Sequence, residues 1–251
     1  GLGREEPGNR FSSWSFQGST TGLDGDGLNA AVSNDTDAIC DDDMTANYTY
    51  PSCEGIAENG CSWTQCSVDD VAFSAALVQE VSANVCIDSE RVYAVGGSNG
   101  GMFVWDLGRD AQSAEVFTAV APILGLPHRG YLDPPISEGG MPVISITGSR
   151  DRTVPPGDWE QESFTTTSDG DVYYYSSASA ITRVWAESHG CDTTVPAESI
   201  DVGSSSMECR GWSYCQSDSQ WPPVLDCRGD MGHRYNLSSS WPLILDFFEQ
   251  L

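Results

Sequence analysis

The strongest chemical signal in the sequence is a serine held between glycines. Residues 96–100 read Gly-Gly-Ser-Asn-Gly and match the pattern Gly-x-Ser-x-Gly. In that pattern a sharp turn between a strand and a helix lifts the serine hydroxyl above the end of a sheet. An apolar, β-branched run precedes the motif and an apolar segment follows it, as such a turn requires. The sequence therefore predicts Ser98 as a nucleophile, and a glycine-rich connection without chemistry is the alternative.

A serine hydroxyl is a weak nucleophile at neutral pH and needs a histidine base. The chain has three histidines, His128, His189 and His233. Where this turn carries a catalytic serine, the chain order is serine, then acid, then histidine. His233 fits best, because it follows a predicted strand and lies in a run of small residues, 229–233. His189 is more simply the end of a helix, where the helix dipole favours a cation, and His128 precedes every plausible acid.

The acid that orients the histidine is predicted at Asp151. Residues 141–147 form an apolar run typical of a buried strand, and Asp151 follows at its carboxyl end. Strand position and chain order both agree with the role of a third catalytic residue. Asp158 is the second candidate for that role. The alternative for Asp151 is a surface ion pair with Arg150 or Arg152, which would contribute little.

These residues need a scaffold of alternating strands and helices, and the sequence predicts one. Asp69 or Asp70 caps a helix that runs toward Asn84, and Pro242 near a first turn starts the last helix. The alternation favours an α/β domain with a mostly parallel central sheet flanked by helices, and the length favours one domain over residues 1–251. The predicted strands are 91–95, 116–124, 143–147 and 224–227, and the predicted helices between them are 102–107 and 179–188.

Cysteines and loops indicate the compartment. The nine cysteines form no tight pairs near histidines, so disulfides in an oxidising compartment are favoured over zinc, and secretion is the expected localisation. Residues 17–66 hold four of them and show no apolar period, which predicts a long loop. Three glycosylation sequons, at 34–36, 47–49 and 236–238, agree with secretion.

Residues 23–29 resemble a calcium loop only weakly, because they lack its closing glutamate, and a solvated acidic turn is the simpler interpretation.

Charge excludes two classes of partner. Asp and Glu total 37 against 11 basic residues, all of them Arg, so the formal charge is -26. Such a surface repels nucleic acids and anionic lipid, and no apolar run is long enough to cross a bilayer. An acidic surface without lysine agrees with a saline setting, or with an ordinary acidic secreted protein.

Aromatic residues between 173 and 221 are candidates to line a cleft for an aromatic or polymeric ligand. The alternative is that they pack in the strands and the core.

Together these features resemble a known family. Residues 68–73, 91–102 and 148–156, Trp185 with the following Gly-Cys, and the Gly-His pair at 232–233 resemble secreted α/β-hydrolase esterases of the polyhydroxybutyrate depolymerase and feruloyl esterase group. The resemblance covers about residues 66 to 235. It is carried by the combined order of the motifs more than by any one of them.

The resemblance implies a mechanism and a substrate class. Carried over residue by residue, it implies Ser98 as nucleophile, Asp151 as acid, His233 as base and the Asn99 backbone N–H as an oxyanion donor, with no metal or cofactor. Substrates would be feruloyl or acetyl esters of polysaccharides, or aliphatic polyesters of the polyhydroxyalkanoate type. It also suggests a disulfide from Cys191 to a cysteine within 209–227. Arg234 and Tyr235 depart from the Trp-Pro that the family usually places after its histidine.

Two further expectations concern what the chain does and what it lacks. A non-catalytic secreted scaffold that keeps the hydrolase fold is the main rival to an enzyme, and a peptidase is a weaker third option. In contrast to that family, in which several strands precede the serine, only 97 residues precede Ser98 in this sequence. This predicts that the first strands, with the loop that gives a second oxyanion donor, belong to an N-terminal segment or second chain linked by the ninth cysteine. The alternative is that residues 1–66 contain short strands that the pattern does not reveal.

Overall fold

A computed structural model gives the fold. It describes Trp14 and residues 45–49, 62–66, 69–127, 140–157, 163–166, 172–203, 205–213, 215 and 221–251. The strands are β1 Thr45–Thr49, β2 Ser62–Cys66, β3 Tyr93–Gly97, β4 Ala119–Ile123, β5 Val143–Gly148, β6 Ser163–Thr166, β7 Val172–Tyr175, β8 Glu198–Ile200, β9 Glu208–Gly211 and β10 Val224–Gly229. The helices are α1 Asp70–Asn84, α2 Asn99–Arg109, α3 Ala178–Ser188 and α4 Leu237–Phe248, with a 3-10 turn at Ser113–Glu115.

Six strands form the central sheet, in the order β3-β4-β5-β10-β9-β8. The first four are mutually parallel, whereas β9 and β8 continue the sheet in antiparallel pairing. All residues of β4 and β5 are buried, as expected for parallel strands covered on both faces. The predicted α/β arrangement with a mostly parallel sheet and flanking helices is confirmed.

Helices cover the sheet on both faces. On one face, α2 and α3 pack their buried side chains against Val120, Val143 and Val224 of the strands. On the other face, Phe247 and the rest of α4 pack against a second cluster that includes Ile144. Trp105 and Trp185 meet edge to face at 4.8 Å between ring centroids, which ties α2 to α3. Among the described residues, no helix is both long and apolar enough to cross a membrane.

Most predicted elements occur within a few residues of their predicted limits. Asp69 caps α1 by accepting a hydrogen bond from the Ala72 N–H at 2.9 Å, as predicted. The last helix begins earlier than predicted, at Leu237, and contains Pro242 in its interior. Proline has no backbone N–H, so Pro242 cannot donate a helical hydrogen bond to the Ser238 carbonyl. The proline is tolerated because both residues are exposed and water can reach that carbonyl.

The prediction of a loop throughout residues 17–66 is wrong at two strands. β1 and β2 pair antiparallel in a two-stranded sheet of their own, from the pairing of Thr45 with Cys66 to that of Thr49 with Ser62. Backbone hydrogen bonds alone define such a pair, so an apolar period is not needed to form it. The sequence also gave no sign of β6, β8 or β9, which are short and polar.

Two disulfides stabilise the described part of the chain. Cys191 is bonded to Cys215, so the predicted bridge from Cys191 into the 209–227 segment is confirmed. Cys209 and Cys227, directly opposed on β9 and β10, form a second bridge. Cys86 is exposed and free.

Candidate active site

The site lies at the carboxyl edge of the parallel sheet. Because β3, β4, β5 and β10 run in the same direction, the loops that follow them meet at one edge, where ligands bind in open α/β sheets. Ser98 follows β3, Asp151 follows β5 and His233 follows β10. The loop after β4, at Gly125, joins them at the same edge. The fold therefore brings together residues far apart in sequence.

Ser98 occupies a strained turn. Its backbone has φ 53° and ψ -121°, in a region that residues with a side chain avoid and that costs about 1–3 kcal/mol. Three backbone hydrogen bonds hold it there. The Ser98 N–H donates to the Ile123 carbonyl at 2.8 Å, and its own carbonyl accepts from the N–H groups of Gly101 and Met102 at 2.8 and 3.0 Å. The turn is thus fixed to β4 on one side and to α2 on the other.

The three predicted side chains form one hydrogen-bonded row. His233 Nδ1 lies 2.7 Å from Asp151 Oδ2, and His233 Nε2 lies 3.0 Å from Ser98 Oγ. A carboxylate can only accept, so Nδ1 donates to Asp151, and Nε2 is left to accept the proton of the Ser98 hydroxyl. This is the arrangement in which a histidine acts as general base toward a serine.

The Asp151 side chain is completely buried, and both of its oxygens accept hydrogen bonds. Its Oδ1 accepts from the N–H groups of Thr153 and Val154 at 2.8 and 3.0 Å, which leaves Oδ2 for His233. Arg150, one of the alternative partners, instead pairs with Asp230 at 2.6 Å on the surface. The interpretation of Asp151 as a surface ion pair is therefore wrong.

The loops that carry Asp151 and His233 are joined through their backbones. The Ser149 N–H donates to the Gly229 carbonyl, and the Arg150 N–H donates to the Met231 carbonyl, at 2.9 and 3.0 Å. A side chain at Gly148 would meet the Met231 carbonyl oxygen at 2.5 Å, so only glycine permits this approach. Asp151 and His233 are consequently held at a fixed separation.

Asn99 begins α2, where backbone N–H groups have no carbonyl partner within the helix and the helix dipole is positive. Its backbone N–H is thus suited to stabilise negative charge beside Ser98. Its side-chain oxygen accepts from the Trp14 N–H at 3.1 Å, and the Trp14 ring stacks on Phe103 at 4.5 Å. Residue 14 is therefore packed against the start of α2, a contact that nothing in the sequence predicted.

The remaining candidates lie elsewhere. His189 is the C-cap of α3. Burial lowers its pKa and outweighs the hydrogen bond with the Met141 backbone, which disfavours the cationic form expected at a helix end. His128 and Asp158 lie outside the described residues. Tyr175 and Trp212, from the aromatic set, are buried in the core.

No described cluster of His, Cys, Asp and Glu side chains is arranged to hold a metal ion. The weak calcium candidate, residues 23–29, lies outside the described part of the chain.

Several glycines lie around Ser98, and of the two glycines that define the motif only Gly96 leaves no space for a side chain. A side chain at Gly96 would lie 2.1 Å from the Gly100 carbonyl oxygen, and one at Gly125 would lie 2.2 Å from the Ser98 carbonyl oxygen. Gly100, although part of the motif, has room, because its nearest neighbour would be the Trp14 ring at 3.4 Å. Gly125 follows a buried strand, which was the one available hint.

Comparison with known proteins gives distant relatives. No family model matches the chain. The chain is 37% identical over 90 residues to NocK of Nocardia uniformis subsp. tsuyamanensis, a protein named as a candidate esterase. The aligned residues make up 34% of this chain and 24% of that protein. The chain is also 26% identical over 152 residues to feruloyl esterase B of Piromyces equi, and these aligned residues make up 57% of this chain and 26% of that protein. The chain thus spans about a quarter of the length of these curated relatives.

Proposed function

We propose that this chain is a serine carboxylic-ester hydrolase with an α/β-hydrolase fold. One observation carries the proposal: a strained serine, a histidine and a buried aspartate form a hydrogen-bonded row at the carboxyl edge of a parallel sheet. Both distances in the row, 3.0 and 2.7 Å, are within hydrogen-bond reach for proton transfer. The names of the two relatives support the same reaction class.

The residues have distinct roles in the proposed reaction. His233 removes the proton from Ser98 as Oγ attacks the ester carbonyl, and Asp151 holds the imidazole and stabilises its positive charge. The Asn99 N–H donates to the oxyanion of the tetrahedral intermediate. His233 then gives the proton to the departing alcohol, and a water molecule activated by the same histidine hydrolyses the acyl-enzyme. No metal or cofactor is needed for these steps.

The proposed substrates are polymer-linked esters. They are feruloyl or acetyl esters of polysaccharides, or polyesters of the polyhydroxyalkanoate type. The resemblance of the motifs to that esterase group supports this range, and so does the similarity to a protein named feruloyl esterase. We further propose that the protein is secreted and glycosylated. The two disulfides among the described residues support secretion, and Asn236, one of the three sequon residues, is exposed.

The test is whether ester hydrolysis depends on Ser98. We expect the Ser98→Ala protein to lose at least about 1,000-fold in kcat on p-nitrophenyl acetate and methyl ferulate, because the attacking oxygen is gone. Ser82→Ala is the matched control, since Ser82 lies on the exposed face of α1 and only bonds the Val78 carbonyl. Unchanged activity of a folded Ser98→Ala protein would exclude the mechanism.

The non-catalytic scaffold remains the competing proposal, and a fluorophosphonate probe separates the two. Such a probe reacts covalently with an activated serine. We expect labelling of the wild-type chain and none of the Ser98→Ala protein, measured by intact mass. A folded wild-type chain that neither reacts with the probe nor hydrolyses esters would favour the scaffold.

A further inference from the structure

Tyr235 occupies an unusual place beside the nucleophile. It lies two residues after His233 and its side chain leans on Gly97, the residue before Ser98. A side chain at Gly97 would lie 2.3 Å from Tyr235 Cε1 and 2.8 Å from its hydroxyl oxygen. The absence of a side chain at Gly97 is thus what allows the ring to rest there. Yet Tyr235 remains 53% exposed, so much of this large aromatic surface faces solvent.

An exposed aromatic ring at this position is suited to a ligand. Aromatic rings supply large apolar area with few rotatable bonds, and they stack on other rings. The hydroxyl end of Tyr235 is partly desolvated, which raises its pKa, so the phenol stays neutral. The ring therefore offers an uncharged surface on an otherwise strongly acidic protein.

The position of the ring relative to His233 indicates which part of an ester it would contact. In the proposed reaction His233 Nε2 must reach the oxygen of the departing alcohol to protonate it. Groups on the same loop as His233 are accordingly close to the alcohol. Tyr235 belongs to that loop and is separated from His233 by Arg234 alone.

We propose that Tyr235 forms a subsite for the alcohol part of the ester and stacks on a ring in it. This inference rests on the proposed function. The favoured substrates are esters whose alcohol carries a sugar or aryl ring, such as acyl groups on a polysaccharide. Aliphatic polyesters, whose alcohol part has no ring, gain nothing from this subsite.

Two esters of one acid test the subsite. Phenyl acetate and ethyl acetate give the same acetyl-enzyme but differ in the alcohol. We expect Tyr235→Ala to lower kcat/KM for phenyl acetate about 2- to 10-fold, the range that one aromatic contact provides. Ethyl acetate should be unaffected, and the rate of acetyl-enzyme hydrolysis should be the same as in the wild type. Tyr235→Phe keeps the ring and should retain the wild-type preference.

Gly97→Ala gives an independent perturbation of the same contact. The three atoms nearest to the added methyl group all belong to the Tyr235 side chain, which can rotate away, so we expect the ring to move. We expect Gly97→Ala to lower the phenyl-to-ethyl preference as Tyr235→Ala does. In the double variant the two effects should not add, because the ring is already gone.

The outcomes separate this inference from the proposed function. Equal losses on both acetates in Tyr235→Ala would assign the residue a merely structural role and overturn the subsite. An effect that follows the acyl group, in phenyl acetate against phenyl butyrate, would place the ring on the acyl side and also overturn it. If the wild-type chain hydrolyses neither ester and does not react with a fluorophosphonate, the proposed function itself fails.

Discussion

Replacement of Gly125 by alanine tests how the sheet edge holds Ser98. Gly125 follows β4 and lies against the backbone of the Ser98 turn. An added Cβ would lie 2.2 Å from the Ser98 carbonyl oxygen and 2.8 Å from both Gly101 Cα and the Met102 nitrogen. All three neighbours are backbone atoms, so no side chain can rotate away to make room.

The distances give the size of the effect. The contact with the Ser98 oxygen is about 1.2 Å shorter than the ordinary limit of 3.4 Å, so the turn or the β4 loop must move by about that amount. Overpacking of this kind costs about 1–3 kcal/mol, and a 1 Å displacement of a reacting group costs about 100-fold in rate. The Ser98 carbonyl also accepts the first hydrogen bonds of α2, so the start of the helix moves with it.

The assay compares two alanine substitutions at the same turn. Gly125→Ala should lower kcat/KM on p-nitrophenyl acetate about 100-fold and the melting temperature by roughly 2 to 12 °C. Gly100→Ala is the control, because its Cβ would meet only the Trp14 ring at an ordinary 3.4 Å. It should keep activity within about threefold and stability within about 1 kcal/mol, since alanine is the better helix former.

Two results would refute the reasoning. A Gly125→Ala protein with wild-type melting temperature and activity would mean that the close approach is not a constraint. A Gly100→Ala protein as damaged as Gly125→Ala would mean that the glycines of the motif matter for a reason other than space.

Further predictions concern the acid, a disulfide, a buried histidine and salt. Asp151→Asn should preserve the fold but lower kcat by about 100- to 10,000-fold, because an amide no longer fixes the His233 tautomer; a loss below tenfold would argue against its role. Replacing Cys191 and Cys215 together by serine should lower the unfolding free energy in urea by roughly 3 kcal/mol, from the 24-residue separation that they close; an unchanged midpoint would show that the bridge adds nothing. Because burial lowers the pKa of His189, the unfolded chain binds a proton at this residue more readily than the folded chain does. The free energy of unfolding should therefore be unaffected by this group above about pH 6.5 and should fall as the pH drops below that value. His189→Gln should flatten that slope in urea titrations, and the same slope in both proteins would assign it to other groups. A net charge of -26 should make the melting temperature rise as NaCl screens repulsion, and a melting temperature independent of NaCl up to seawater strength would contradict a saline adaptation.

The sequence alone was sufficient for features set by local order. Gly-x-Ser-x-Gly between a strand and a helix is a short-range pattern, and it located the turn at Ser98 correctly. The helix cap at Asp69 and the buried strand at 143–147 were likewise predictable, because each depends on a short stretch of consecutive residues. The order of Ser98, Asp151 and His233 along the chain was by itself enough to select these three residues as candidates.

The tertiary structure decided what depends on long-range approach. His233 is 135 residues from Ser98 and 82 from Asp151, and no local pattern encodes the 3.0 and 2.7 Å distances between them. Which glycines lack space was also undecidable from the motif, since Gly100 has room and Gly125, outside the motif, has none. Tyr235 resting on Gly97 belongs to the same class. These contacts form only when strands distant in sequence pair in one register, so their atoms become neighbours through the sheet and not through the chain.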